Sequence, residues 1–110
     1  MSINKNDLLQ GTLDLLILRV LATGDRHGYS IAKRIEQVSG EIFAIQMGSL
    51  YPALHRLQAK AFITSEWGVT ETKRKAKFYS LTNEGKKYVE AEKTSWERFA
   101  LGMRNVLDNA

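Results

Sequence analysis

The sequence predicts a mainly α-helical fold with one small β-hairpin, and three observations carry that prediction. Apolar residues recur at spacings of three and four in four separate stretches. The period changes to strict alternation only once, over FITSEW and AKFYSL. The single proline, Pro52, lies near the start of a helical stretch, while Gly24 and the Ser39-Gly40 pair stand at breaks between stretches.

The first helix is expected from about Thr12 to Thr23. Leu13, Leu16, Ile17, Val20 and Leu21 form its stripe, with Leu15 and Leu18 on the flanks. Thr12 is placed to cap it, Asp14 to face the positive end of its dipole, and Gly24 to end it in a left-handed conformation. A helix apolar most of the way round needs cover on two sides, from the core and from a second subunit. A second helix follows the turn DRHGYS, with Ile31, Ile35 and Val38 facing inward. The third is expected from about Ser49 to Lys60. Leu50, Leu54 and Leu57 face the core, and Pro52 falls in the first turn, where a missing N–H costs little. Ala61 occupies the position where a left-handed glycine is usual, at a cost of about 1 kcal/mol.

FITSEW and AKFYSL then pair across the polar connection GVTETKRK. Thr82 caps a last helix that runs from about 83 to 107, with Glu84 in its first turn. That helix is longer than a compact domain of about 80 residues is wide, so part of it must project. Val89, Trp96, Phe99, Met103 and Val106 share one heptad-like stripe, which predicts a seam with a second copy of the chain.

With 110 residues, 44% hydrophobic and 25% charged, the chain has the balance of one globular domain. No apolar run reaches the roughly 18–20 residues that span a bilayer. MSINKNDLLQ lacks the layout of a signal peptide, and there is no cysteine, so a cytoplasmic protein without membrane partner or disulfides is expected. The net charge of +4 is unevenly placed. Residues 1–54 and 82–110 are each balanced, five basic against five acidic, whereas 55–81 carry six basic residues against Glu66 and Glu71. A surplus confined to one segment marks a surface prepared for a polyanion.

The outward side of MGSLYPALHRL carries Ser49, Tyr51, His55 and Arg56 where a merely solvated helix would carry Glu and Lys. Three helices followed by a hairpin describe a winged helix-turn-helix, whose third helix enters the major groove of DNA while the wing reaches the flanking backbone. On that geometry Ser49 and Tyr51 hold phosphates, and His55 and Arg56 reach base edges. Lys73, Arg74, Lys75 and Lys77, on or beside the wing, neutralise phosphates. Residues 1–81 are thus expected as a DNA-binding domain on double-stranded DNA, and 82–110 as a dimerisation helix.

LLQGTLDLLILRVLATGDRHGYSIAKRIE, GSLYPALHRL, KAKFYSLTNEGKKY and WERFALGMRNVL, taken in order, resemble the PadR-like transcriptional regulators, in particular the short subfamily with one C-terminal helix. The resemblance covers nearly the whole chain from Leu8. It implies a homodimeric repressor on an inverted-repeat operator, with Ser49, Tyr51, His55 and Arg56 on the recognition helix and Lys73 to Lys77 on the wing. Two departures stand out: Ala61, where the family usually has glycine, and KRKAK, where many relatives carry a proline-arginine pair. Some relatives bind small aromatic or cationic molecules between subunits. Trp96 is the residue that would stack on such an effector, packing of the dimer being its other role.

An enzyme is not expected. His27 and His55 are the only histidines, no serine has a recognisable base partner, and neither a glycine-rich phosphate loop nor a metal-ligand spacing is present, so no cofactor is implied. His27 reads as a turn residue. The alternative function is a winged-helix module whose basic wing docks an acidic protein.

Overall fold

The computed structural model describes residues 10–110, with Gln10 and Gly11 described by backbone alone. The reading of MSINKNDLLQ therefore falls, but for Gln10, outside the described residues. In chain order the elements are α1 (Gln10–Leu21), β1 (Arg26–His27), α2 (Gly28–Val38), α3 (Met47–Ala59), β2 (Ile63–Val69), β3 (Lys75–Leu81) and α4 (Asn83–Asn109).

The core forms around α1, which touches α2, α3, α4 and β3. Ile17, Leu18, Ile31, Leu50, Leu54, Leu57 and Ile63 are fully buried. Leu18 is thus central rather than on a flank, while Leu15 and Leu16 are only half-buried against the core. Thr12 lies inside α1 instead of capping it. Asp14 does not serve the helix dipole either; it is 6% exposed and paired with Arg56.

His27 caps α2, its Nδ1 accepting the Ser30 N–H at 3.3 Å. The helix ends with Gly40 N–H donating to the Gln37 carbonyl and Glu41 N–H to that of Glu36, around Gly40 at φ 67°. Ile31 and Ile35 are buried as expected, but Val38 is 65% exposed. Val38 is the last residue of α2, and the buried part of the helix ends one turn earlier, at Ile35.

Pro52 is the sixth residue of α3, two residues further in than expected because the helix begins at Met47, and has no N–H to offer the carbonyl of Gly48 four residues back. At the other end Ala61 does adopt φ 62°. Its N–H donates to Gln58 and that of Phe62 to Leu57, so the chain turns left-handed without a glycine.

The hairpin extends further than the alternation indicated, pairing Ile63 with Leu81 at its base and Val69 with Lys75 at its tip. Only Thr70–Arg74 remain as the turn, closed by the Thr70 N–H on the Arg74 carbonyl (2.8 Å) and by Lys73 at φ 64°. The sheet also has a third strand: β1 joins the free edge of β3, Arg26 opposite Tyr79 and His27 opposite Phe78.

Thr82 caps α4, accepting the Gly85 N–H at 3.1 Å and donating to the Ala61 carbonyl at 2.7 Å. Gly85 lets the first turn of α4 lie on the backbone of Phe62; a Cβ there would collide with the Phe62 carbonyl. Phe62 stacks on Tyr88, ring centroids 4.6 Å apart. Helix α4 has 27 residues, and with it the molecule extends 54 × 29 × 21 Å.

Candidate nucleic-acid interface

On α3 the buried Leu50, Ala53, Leu54 and Leu57 fix which side faces out. At about 100° per residue, Gly48, Tyr51, Pro52 and His55 share the outward stripe, and all four are exposed. Ser49, also exposed, stands on one flank with Arg56, seven positions on. Arg56 turns along that flank toward α1, where its Nη2 donates to Asp14 Oδ1 at 3.0 Å. The arginine expected at a base edge is therefore engaged with a buried carboxylate. Asp14 could not sit in the core of α1 without such a partner.

Directly opposed residues of β2 and β3 point to the same side. Trp67, Val69, Lys75 and Lys77 thus share one face of the wing with Tyr79, while Glu66 pairs with Phe78 on the other. The acidic residue of β2 is kept off the basic face by parity alone.

That basic face looks across a groove of about 1040 Å³ toward the start of α2 and the side of α3. Tyr51 lines it, together with Tyr29 and Lys33 from α2 and Trp67, Arg74, Lys75 and Lys77 from the wing. Tyr51 is held against Gly28: a Cβ there would lie 3.0 Å from the ring. Burial, and then the neighbouring Tyr51, push the Tyr79 phenol above its ordinary value, so Tyr79 remains an uncharged wall. Tyr29 first, and Glu36 second, raise Lys33, whose Nζ lies 5.4 Å from the Tyr29 ring centroid.

Of the eight residues expected to face nucleic acid, Tyr51, Arg74, Lys75 and Lys77 share this groove. Ser49 and His55 are exposed on α3 beside it, and Lys73 is exposed in the wing turn. Trp67, Tyr29 and Lys33 were not anticipated. An exposed aromatic across a hairpin from alternating lysines is the signal that would have found Trp67.

Along α4, Trp96, Phe99, Met103 and Val106 are 43–65% exposed. Leu107, 75% exposed, adds to the same side of the helix. Val89, expected in the same seam, is 3% exposed and belongs to its own domain's core. The face of α4 that covers α1 in its first half simply continues beyond the domain in its second. Between the two helices lies a smaller groove of about 350 Å³ lined by Leu15, Leu16, Val89, Trp96 and Ala100, with Arg19, Lys93 and Glu97 at its margin. Among the described residues there is no group of three His, Cys, Asp or Glu able to hold a metal ion, and no helix long and apolar enough to cross a membrane.

Three helices, a sheet whose β2–β3 finger stands beside the third of them, and a long last helix define a winged helix-turn-helix protein with a C-terminal extension. Residues 17–91 match the model of the transcriptional regulator PadR-like family. The negative transcriptional regulator PadR of Bacillus subtilis (strain 168) is 32% identical over 74 residues, 67% of this chain, which spans only 41% of that protein's length. A transcriptional regulator from Clostridium thermocellum has the same fold at a TM-score of 0.81, with 32% identity and 94% and 97% of the two chains covered. A PadR family transcription regulator from hypervirulent Clostridium difficile R20291 is similar at a TM-score of 0.70, with 35% identity and 86% and 96% covered. The chain belongs to the PadR-like family of transcriptional regulators, a family of regulators rather than enzymes.

Proposed function

We propose that two copies of this chain pair through the projecting half of α4 and together grip an inverted-repeat operator in double-stranded DNA as a repressor. The observation that carries this reading is the common groove: Tyr51 of α3 and Arg74, Lys75 and Lys77 of the wing face one another across it. In this arrangement the outward stripe of α3 enters the major groove, His55 reaches base edges, and Ser49 and Tyr51 contact phosphate. Arg56 serves first to set α3 against α1 through Asp14, and reads a base only if it leaves that partner. Repression is the sense favoured by the similarity to the Bacillus subtilis negative regulator.

The groove between α1 and α4 is the place for a small effector, with Trp96 as its stacking surface. Arg19 and Lys93 at its margin, against Glu97 alone, favour an aromatic molecule that is neutral or anionic over a cationic one.

Selection of bound duplexes from a random pool tests the function directly. A palindromic winner, retained with affinity that falls steeply with salt, is the expected result. Retention of an acidic protein with no preference among duplexes would instead establish the wing as a protein-docking surface. With the winning duplex, Lys75→Ala should weaken all sequences alike, whereas His55→Ala should narrow the gap between operator and random DNA.

A further inference from the structure

Trp67 is 63% exposed on β2, and an indole so placed adds little to the core. Lys75 Nζ lies 5.2 Å and Lys77 Nζ 5.5 Å from its ring centroid, both within the roughly 6 Å at which a cation is held by an aromatic face. Neither lysine pairs with a carboxylate among the described residues. On the opposite face of the wing Phe78 lies across Gly68, where a Cβ would come within 2.7 Å of its ring, and meets His27 edge-on at 5.4 Å. The strand is thus braced from the outer side, and the Trp67 side is left open to the groove.

We infer that Trp67 is a positioning residue for nucleic acid: its indole orders Lys75 and Lys77 along the groove-facing side of the wing before DNA arrives. This inference rests on the DNA-binding function proposed above. A lysine that docks on a phosphate loses the freedom of a long side chain, and that loss weakens binding. A ring already in contact with both ammonium groups removes part of it in advance. The indole occupies one side of each ammonium, and each of these keeps N–H donors for a phosphate oxygen on the other. Trp67 itself contacts no base, so its effect is independent of sequence.

The test uses the full chain, the selected operator, a random duplex, and Trp67→Ala, Trp67→Leu and Trp67→Phe, each first shown to unfold at the wild-type temperature. Trp67→Ala and Trp67→Leu should weaken both duplexes roughly 5- to 20-fold, and Trp67→Phe should restore most of the loss. The slope of log affinity against log salt should not change, because both cations remain, whereas Lys75→Ala and Lys77→Ala should each lower it by about one. In the free protein the ε-methylene protons of both lysines should be shifted upfield by the ring current, and the shift should vanish in Trp67→Ala. Unchanged or tighter DNA binding by Trp67→Ala, or an altered preference among sequences, overturns the inference. So does the absence of the lysine shifts in the wild type. If the wild-type chain retains no duplex, the DNA-binding function fails and the inference with it. Lysine shifts observed in that case would assign the Trp67 contact to the wing alone, so the two failures remain distinguishable.

Discussion

Arg56 Nη2 stands 3.0 Å from Asp14 Oδ1, tying the helix with the outward-facing stripe to the central helix of the core across 42 residues of sequence. The two partners are unequally placed: the Asp14 side chain is 8% exposed and that of Arg56 33%. Removing the arginine therefore strands a buried carboxylate, whereas removing the aspartate leaves a guanidinium that still reaches water. Arg56→Ala is expected to cost about 2–3 kcal/mol and Asp14→Ala about 1–2, less than the ~3–5 typical of a fully buried pair. Replacement of both, Asp14→Leu with Arg56→Met, should recover much of the loss. Urea unfolding of the four proteins measures all of this, and equal costs for the two single variants would contradict the asymmetry.

Ala61 holds φ 62° at the end of α3, a conformation that strains an L side chain. Glycine there keeps the hydrogen bonds from Ala61 N–H to Gln58 and from Phe62 N–H to Leu57 while relieving the strain. Ala61→Gly should therefore stabilise the domain by about 0.5–1 kcal/mol, even after the greater freedom that glycine gives the unfolded chain. A higher thermal midpoint is the readout; a lower one would mean that the left-handed turn is not under strain.

What could be read from the sequence alone follows from how local each feature is. Leu50, Leu54 and Leu57, the left-handed Ala61 and the Thr82 cap are fixed by residues within one or two turns, and all stand where the sequence puts them. Periodicity gives the direction of a face but not how far its cover extends. Val38 was expected inside and is exposed, while Val89 was expected on a free seam and is buried. Strand β1 has two residues, too few for any period, and exists because the edge of β3 is there to pair with. The Arg56–Asp14 pair and the Trp67–lysine contacts depend on tertiary placement and hairpin register, which residue types alone do not disclose. Within the candidate interface, the basic wing is legible from the charge distribution and Tyr51 from the outward side of its helix, whereas Tyr29 and Trp67 are not.

Gly28 and Tyr51 offer a way to perturb the groove without perturbing the core. An added Cβ at Gly28 would meet the Tyr51 ring at 3.0–3.2 Å, so the ring must yield by a few tenths of an ångström. Tyr51 is 52% exposed and has room to move outward. Gly28→Ala should thus change stability by no more than about 1 kcal/mol, in the range of ordinary substitutions, yet weaken operator binding as Tyr51 leaves its place. Tyr51→Ala in the Gly28→Ala background should add little, since both act through the same ring. Additive losses in duplex affinity would show that the two residues act separately.

The proposed dimer rests on the second half of α4, and Phe99 and Val89 separate assembly from folding. Phe99 is 63% exposed in the single chain and touches the Trp96 ring edge-on at 5.6 Å, so a carboxylate there meets only water unless a partner covers it. Val89 is 3% exposed, and a carboxylate there would be buried without a partner. Phe99→Asp should therefore sediment as a folded monomer with helix content close to wild type and greatly reduced operator affinity, because one wing and one α3 cannot grip two half-sites. Val89→Asp should instead lose several kcal/mol and unfold at assay temperature, whatever the concentration. Analytical ultracentrifugation with circular dichroism on both variants distinguishes the outcomes. A Phe99→Asp protein that still sediments as a dimer would move the subunit contact away from α4.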